Sequence, residues 1–340
     1  MSQGRVVVAM SGGVDSSVAA LLLCQEGYQV VGVTLRLYSV DDAQRPAYSR
    51  GCCTLDDVED ARAVCRRLGV PHYVWDVRHE FRRHVMDYFV AEYRRGRTPH
   101  PCIACNDRIK FGFLLQRARA LEADYVATGH YARILRGDDG AWRLLKAADP
   151  RKDQSYVLFG MGQEELARTL LPVGHHAKEE VRRLAAEAGL PVAQKPDSQE
   201  VCFIPWGDYR RFLAQRAPPR PGEVVDTHGR VLGAHPGIEF FTVGQRRGLG
   251  LSAGRPLYVV RVEADTGRVV VGGEADLLSD ALWAEDVRYV AGRAPAGPVE
   301  VTARVRYRSP EAPATLHPAG QGRALLRFAV PQRAVTPGQA

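Results

Sequence analysis

The run Val6-Val7-Val8-Ala9-Met10-Ser11-Gly12-Gly13-Val14-Asp15-Ser16-Ser17 decides the fold. Its apolar start reads as a buried strand, Ser11-Gly12-Gly13 as a tight turn, and residues 14–25 as a helix. Gly12 and Gly13 lack Cβ atoms, so backbone N–H groups can close on an anion there. The unpaired N–H groups and the dipole of the following helix face the same point. No lysine closes the motif as it would in GxxxxGK[ST], so this is not the loop that grips a γ-phosphate for transfer. A glycine-rich turn without a ligand is the plain alternative, and the strand, loop and helix order argues against it.

Working outward, apolar runs at residues 5–9, 30–37, 72–77 and 125–128 alternate with helical patterns at 14–25, 55–68, 80–93 and 110–121. That alternation predicts an α/β fold, a doubly wound, mostly parallel sheet. Ligands of such sheets sit beyond the carboxyl ends of the strands, where residues 11–17, 34–37 and 128–130 fall. This first domain is expected over residues 1–207. A short helix at 208–215 and a proline breaker at 218–221 follow, and then strands and turns. A small mixed central domain is expected over 208–275, with a hairpin around Ala264-Asp265-Thr266-Gly267, and a C-terminal β-barrel domain over 276–340.

A chain of 340 residues can bury more than one core. It has no apolar run of about 18 residues, so neither a membrane span nor a signal peptide is expected. A cytoplasmic location with reduced thiols follows, and the seven cysteines point to metal or catalysis before a disulfide framework. The formal charge of +7 suits a polyanionic partner, although a solvated charged face produces the same modest excess. Arginine supplies nearly all of it; the lysines are Lys110, Lys146, Lys152, Lys178 and Lys195. Basic runs at Arg82-Arg83, Arg94-Arg95-Gly96-Arg97, Arg210-Arg211, Arg246-Arg247 and residues 304–308 are each ordinary surface. Together with Tyr93, Tyr209 and Tyr307 they suit an RNA held by its backbone.

Cys102 and Cys105 stand three residues apart in Thr98-Pro99-His100-Pro101-Cys102-Ile103-Ala104-Cys105-Asn106, read as a loop made rigid by two prolines. Such thiols can meet one ion or each other. Cys202 lies in another loop, residues 196–205. Cys24 and Cys65 fall in helical patterns and read as core, and the vicinal Cys52-Cys53 pair as inert. His130 alone reads as an interior histidine, and Lys152-Asp153-Gln154 also fits a turn cap before Tyr156.

The first motif resembles the pyrophosphate-binding SGGxDS loop of the PP-loop ATP pyrophosphatases. More specifically, SGGVDSS, TPHPCIACNDRIKF, ATGHYAR, KDQSYVL and DSQEVCFIP occur in the order and approximate spacing of the tRNA-specific 2-thiouridylases, the MnmA family. The resemblance continues through FFTVGQRRGLGL, PLYVV, RVRYR and AVTPGQ. It implies ATP-dependent 2-thiolation of the wobble uridine in tRNAs for lysine, glutamate and glutamine, with Mg²⁺ and a sulfur donor or sulfur-carrier protein. It also implies a PP-loop domain, a small central domain and a C-terminal β-barrel. Ala9, Met10, Ser11, Gly12, Gly13, Val14, Asp15, Ser16, Leu35 and Gly129 would bind ATP. His100, Pro101 and Cys102 would face the target base, and His130, Lys152, Asp153, Gln154, Arg306, Tyr307 and Gln339 would contact tRNA. Cys105 and Cys202 match the two essential thiols.

One form of the family has Asp where Cys102 stands, which removes an acid from this site. Members with the extra cysteine are thought to hold a [4Fe-4S] cluster on three thiolates, so Cys102, Cys105 and Cys202 are candidate ligands. A structural zinc with His100 or His130 as fourth ligand competes with that reading. Relatives usually continue through another strand or two past Gln339, so a barrel incomplete at its end is expected. Two other functions fit parts of the chain: another PP-loop adenylating ligase, and a zinc-stabilised RNA-binding protein without turnover.

Overall fold

Three valines, Val6, Val7 and Val8, are fully buried in the central strand of a five-stranded parallel sheet. The computed structural model describes residues 3–38, 55–197, 201–204, 207–252 and 254–340. It divides into two compact units, Met1–Met86 with Cys102–Gly207 and Tyr289–Arg293, and Asp87–Pro101 with Asp208–Arg288 and Ala294–Ala340.

In the first unit β1 (Arg5–Ala9), β2 (Gln29–Arg36), β3 (His72–Asp76), β4 (Tyr125–Ala127) and β7 (Thr169–Leu170) form the sheet in the order β3-β2-β1-β4-β7. Val7 pairs with Val31 on one side and Val126 on the other. Successive residues Val6, Val7 and Val8 are all buried, so both faces of β1 are covered, which is why its residues are apolar without alternation. Each buried valine stabilises by roughly 1.5–3 kcal/mol. The helix Val14–Gln25 buries Val14, Val18, Ala19, Ala20, Leu21 and Leu23, and its core includes Val181 and Ala185 of the helix Lys178–Glu187. The strand order reverses between β1 and β4. Residues 10–17 and 128–130 leave the carboxyl ends of those two strands, at the topological switch point.

One expectation is corrected here. Cys102 and Cys105 lie in a helix, Pro101–Cys105, that runs on through a π-helical stretch Asn106–Phe113 into Leu114–Ala120. Proline is tolerated in a first helical turn, where its missing N–H is not needed. The helical run expected at 80–93 is present, as Arg78–Phe81, a π-helical turn Arg82–Met86 and Asp87–Arg94. A further hairpin, β5 (Ala132–Arg136) with β6 (Trp142–Lys146), was not legible as alternation.

The second unit holds two four-stranded sheets. In the first, β8 (Gly222–Asp226), β9 (Val231–His235), β10 (Tyr258–Glu263) and β11 (Arg268–Gly272) run in the order β10-β11-β8-β9. The β10–β11 pair is the expected hairpin, antiparallel about residues 264–267. In the second, β12 (Leu278–Ala284), β13 (Val299–Ala303), β14 (Ala312–Gly320) and β15 (Arg323–Arg333) run in the order β12-β15-β14-β13. β14 escaped the sequence reading because Pro313 and Pro318 stand in it; the register shifts between Pro318 and Gly320. Tyr93 stacks on Tyr209 with ring centroids 5.1 Å apart, and Phe89 meets Phe212 edge to face at 5.9 Å. No helix among the described residues is long and apolar enough to cross a membrane.

Arg306 ties this unit together. Its guanidinium donates to the carbonyls of Val243 at 2.6 Å and Ala334 at 2.9 Å, and to the hydroxyl of Thr336. Replacing Arg306 by alanine strips the Val243 carbonyl of its donor and leaves the Ala334 carbonyl only the Thr336 hydroxyl. Thermal melting should show a loss of about 2 kcal/mol or more, and an unchanged melt would exclude this structural duty.

Candidate active site

The nucleotide loop is shaped by its neighbours. Gly12 adopts φ +72°, and a Cβ there would stand 2.3 Å from the Asp57 carbonyl oxygen, so only glycine fits. Ser11 N–H donates to Ser16 Oγ at 3.2 Å, and the Ser17 hydroxyl returns to the Gly13 carbonyl at 2.8 Å. Gly13 is the N-cap and has no side chain to occupy the first-turn N–H groups, so the end of the helix keeps donors for an anion. On the other side a Cβ on Gly129 would meet Ser16 N at 2.5 Å. The turn after β4 is thereby seated on the same helix end. Leu35 is buried in β2.

Behind the loop lies a cation that the sequence reading did not assign. Lys178, nearly fully buried, directs Nζ to both oxygens of Asp15 at 2.7 and 2.8 Å and to Asp197 at 2.8 Å. All three ammonium hydrogens find carboxylate acceptors. Tyr131 Oη donates to Asp15 at 2.7 Å; burial and the Asp15 charge push its phenol far above the ordinary value, so it stays a donor. Asp197 also accepts from Lys152 at 2.9 Å and Arg182 at 2.9 Å. Burial opposes its ionisation, but hydrogen bonds from Lys152 and Lys178 hold it down to about 2. Two residues earlier, Lys195 donates to Asp57 at 2.7 Å and Asp60 at 2.5 Å. Segment 195–197 is thus anchored both to the helix beside Gly12 and to the nucleotide loop.

That segment leads to Cys202. Cys202 is half-buried, Cys105 buried and Cys102 exposed. Phe203 packs edge to face on Phe81 with centroids 5.7 Å apart, and Arg108 donates to the carbonyl of His84 at 3.5 Å. The segments carrying Cys202 and Cys105 are therefore joined through residues 81–84. Among the described residues no three His, Cys, Asp or Glu side chains are arranged to hold a metal ion. Cys52 and Cys53 lie outside the described residues. Cys24 and Cys65 pack in the core as read, and burial pushes the Cys65 thiol up to about 11.

His130 is buried. Its Nδ1 lies 2.7 Å from Thr128 Oγ1 and its Nε2 3.5 Å from Lys110 Nζ. An ammonium only donates, so Nε2 is the acceptor and Nδ1 carries the proton. Burial first, and the Lys110 charge second, hold the ring neutral. Of the triplet at 152–154, Asp153 accepts from Ala147 N and Ser155 Oγ, and Gln154 Oε1 from Tyr131 N. Both act as turn-holding groups, and Lys152 is the member joined to Asp197. In the second unit the rings of His100 and Tyr307 meet at 5.4 Å, and Gln339 Nε2 donates to the Thr98 carbonyl at 2.6 Å.

Comparisons with known proteins cover the same ground. Residues 4–206 match a family model described as tRNA methyl transferase HUP domain, 210–273 the tRNA methyl transferase PRC-barrel domain and 279–340 the aminomethyltransferase beta-barrel domain. The chain is 53% identical to the tRNA-specific 2-thiouridylase MnmA of Moorella thermoacetica, over 98% of this chain and 94% of that one. The chain belongs to the MnmA family. Other MnmA proteins that it resembles are those of Symbiobacterium thermophilum, 50% identical over 99% of this chain and 88% of that one, and Geobacter metallireducens, 50% identical over 99% and 92%.

In this MnmA chain Lys178→Met should leave Asp15 and Asp197 short of a partner. ATP affinity by calorimetry is expected to fall at least about 10-fold, with roughly 2 kcal/mol lost in stability. Unchanged affinity would remove Lys178 from the site. Asp197 titrates near 2 against an ordinary 3.8, so its stabilisation is complete above about pH 5 and fades as pH falls toward 2. Melts at pH 5 and pH 3 should show a smaller acid-induced drop in Asp197→Asn than in the wild type.

Proposed function

We propose that this chain 2-thiolates the wobble uridine of tRNA at the expense of ATP, in the cytoplasm. The observation that carries this reading is the match to MnmA proteins along nearly the whole chain. The uracil 2-carbonyl is a poor electrophile. Attack of its oxygen on the α-phosphorus of ATP releases pyrophosphate and leaves an adenylated carbon from which AMP departs readily. Residues 9–16 and Gly129 hold the phosphates at the helix end and Leu35 lies by the adenine. A Mg²⁺ arriving with the nucleotide would be held chiefly by the phosphates and water, because both Asp15 oxygens already accept from Lys178 and Tyr131. When bound, that ion would offset phosphate charge as pyrophosphate leaves.

The sulfur enters as a persulfide that a donor protein leaves on Cys202. The Cys105 thiolate attacks the inner sulfur, the Cys202 S–S bond breaks, and hydrosulfide is released. Hydrosulfide adds to the activated carbon and AMP leaves with the former uracil oxygen. The resulting Cys105–Cys202 disulfide is reduced by a cellular thiol. A neutral His130, with both ring nitrogens taken by Thr128 and Lys110, orients the Lys110 ammonium without adding a proton that titrates.

A thiolation assay with tRNA, ATP and a persulfide donor tests this. Wild type should form 2-thiouridine, Cys105→Ala and Cys202→Ala should lose at least about 100-fold, and Cys102→Ala should keep most of the activity. Loss in Cys102→Ala together with iron and sulfide in anaerobically purified protein would replace the relay by the cluster form. Retention by all three variants would overturn the thiol assignment.

A further inference from the structure

The second unit carries a basic loop that the site above does not use. No aspartate or glutamate occurs between Glu239 and Glu263, whereas Arg246, Arg247 and Arg255 fall in that span. Neighbouring arginines meet carboxylates: Arg230 holds Asp226, Arg261 holds Glu263 and Arg268 holds Glu223. Arg246, Arg247 and Arg255 are exposed and have no such partner among the described residues. Arg210 adds a fourth charge, its guanidinium nitrogens 3.5 and 3.6 Å from where a Cβ on Gly248 would stand. It, too, has no carboxylate partner among the described residues.

The loop is built to stay in place. Gly244 N donates to the Val259 carbonyl at 2.7 Å and Val259 N to the Gln245 carbonyl at 2.9 Å. The Gln245 side chain accepts from Thr242 N at 3.1 Å and donates to the Arg247 carbonyl at 3.0 Å. By contrast, the backbone N–H groups of residues 246–250 have no hydrogen-bond partner among the described residues. Arg246 and Arg255 face an open cleft of about 420 Å³ lined also by Leu249, Ser252 and Leu257. Asp226, the carboxylate of the adjoining cleft, is held by Arg230 at 3.2 Å.

Like charges held together repel unless an anion lies among them. Guanidinium forks and unused backbone donors both match phosphate oxygens. Four cations exceed what one small anion neutralises, and of the leucines lining the cleft Leu249 and Leu257 are buried and Leu251 half-buried, so little apolar surface is left for a lipid. We infer that this loop is a sequence-indifferent clamp for the sugar–phosphate backbone of the tRNA. This rests on the tRNA-thiolating function and adds to it a contact that no target base determines.

The test is a triple variant, R246Q/R247Q/R255Q, in the full chain, with R268Q as an ion-paired control. Affinity for a tRNA transcript for glutamate and for one without a wobble uridine is measured from 50 to 300 mM KCl, with ATP affinity alongside. The triple variant should bind both transcripts at least about 10-fold more weakly at 150 mM, and its log–log salt slope should flatten by about 2–3. R268Q and ATP affinity should stay near wild type. An unchanged slope in the triple variant, or a loss confined to the cognate transcript, would overturn the inference while leaving the function standing. Wild type that binds neither transcript would overturn both. If the triple variant melts early, single R246Q and R255Q each carry the test, with a flattening of about 1 expected and none contradicting it.

Discussion

One buried ammonium organises the first unit. Lys178 Nζ spends its three hydrogens on Asp15 and Asp197, joining the nucleotide loop to the strap that leads to Cys202. An unpaired lysine at that depth would shed its proton or unfold its surroundings. The two carboxylates are therefore as necessary to the lysine as it is to them. Arg182 and Lys152 add positive charge around Asp197. The loop, the strap and the triplet at 152–154 thus share one electrostatic frame, and a change in charge at the loop is felt by the others.

In the proposed reaction two chemistries must not run separately. Adenylating a carbonyl without sulfur at hand wastes ATP, and releasing hydrosulfide without an activated carbon wastes the sulfur. Lys178 joins the phosphate-binding helix end to segment 195–197 through Asp15 and Asp197, which would give both proposed steps a common support. The second unit answers a different need. Its Arg306 clamp and proline-bearing β14 make a stiff platform, and its unpaired arginines lie outside that platform's own ion pairs.

Much of this was legible in the residues alone. Val6-Val7-Val8 followed by Ser11-Gly12-Gly13 predicted the central strand and the loop, because an unbroken apolar run ending in glycine has few other uses. The helices at 14–25 and 55–68 followed from periodicity and came out with those limits. What failed was local chemistry that reads two ways. Pro101 suggested a loop, yet a first helical turn accepts it; Pro313 and Pro318 hid β14. Lys178 was passed over because its partner Asp15 lies 163 residues away, and nothing in a linear pattern pairs them. Arg306 and Gln339 matched a family's tRNA contacts, while their side chains here also close hydrogen bonds within the fold. The three-thiolate set rests on spacing and resemblance alone, and no group of three metal-ligating side chains is found among the described residues.

The central claim is that the uracil oxygen leaves on AMP. It is tested most directly by supplying tRNA labelled with ¹⁸O at O2 of the wobble uridine and analysing the AMP released during one turnover by mass spectrometry. The account predicts one ¹⁸O atom in the phosphate of that AMP for each 2-thiouridine formed. Unlabelled AMP alongside full thiolation would contradict it.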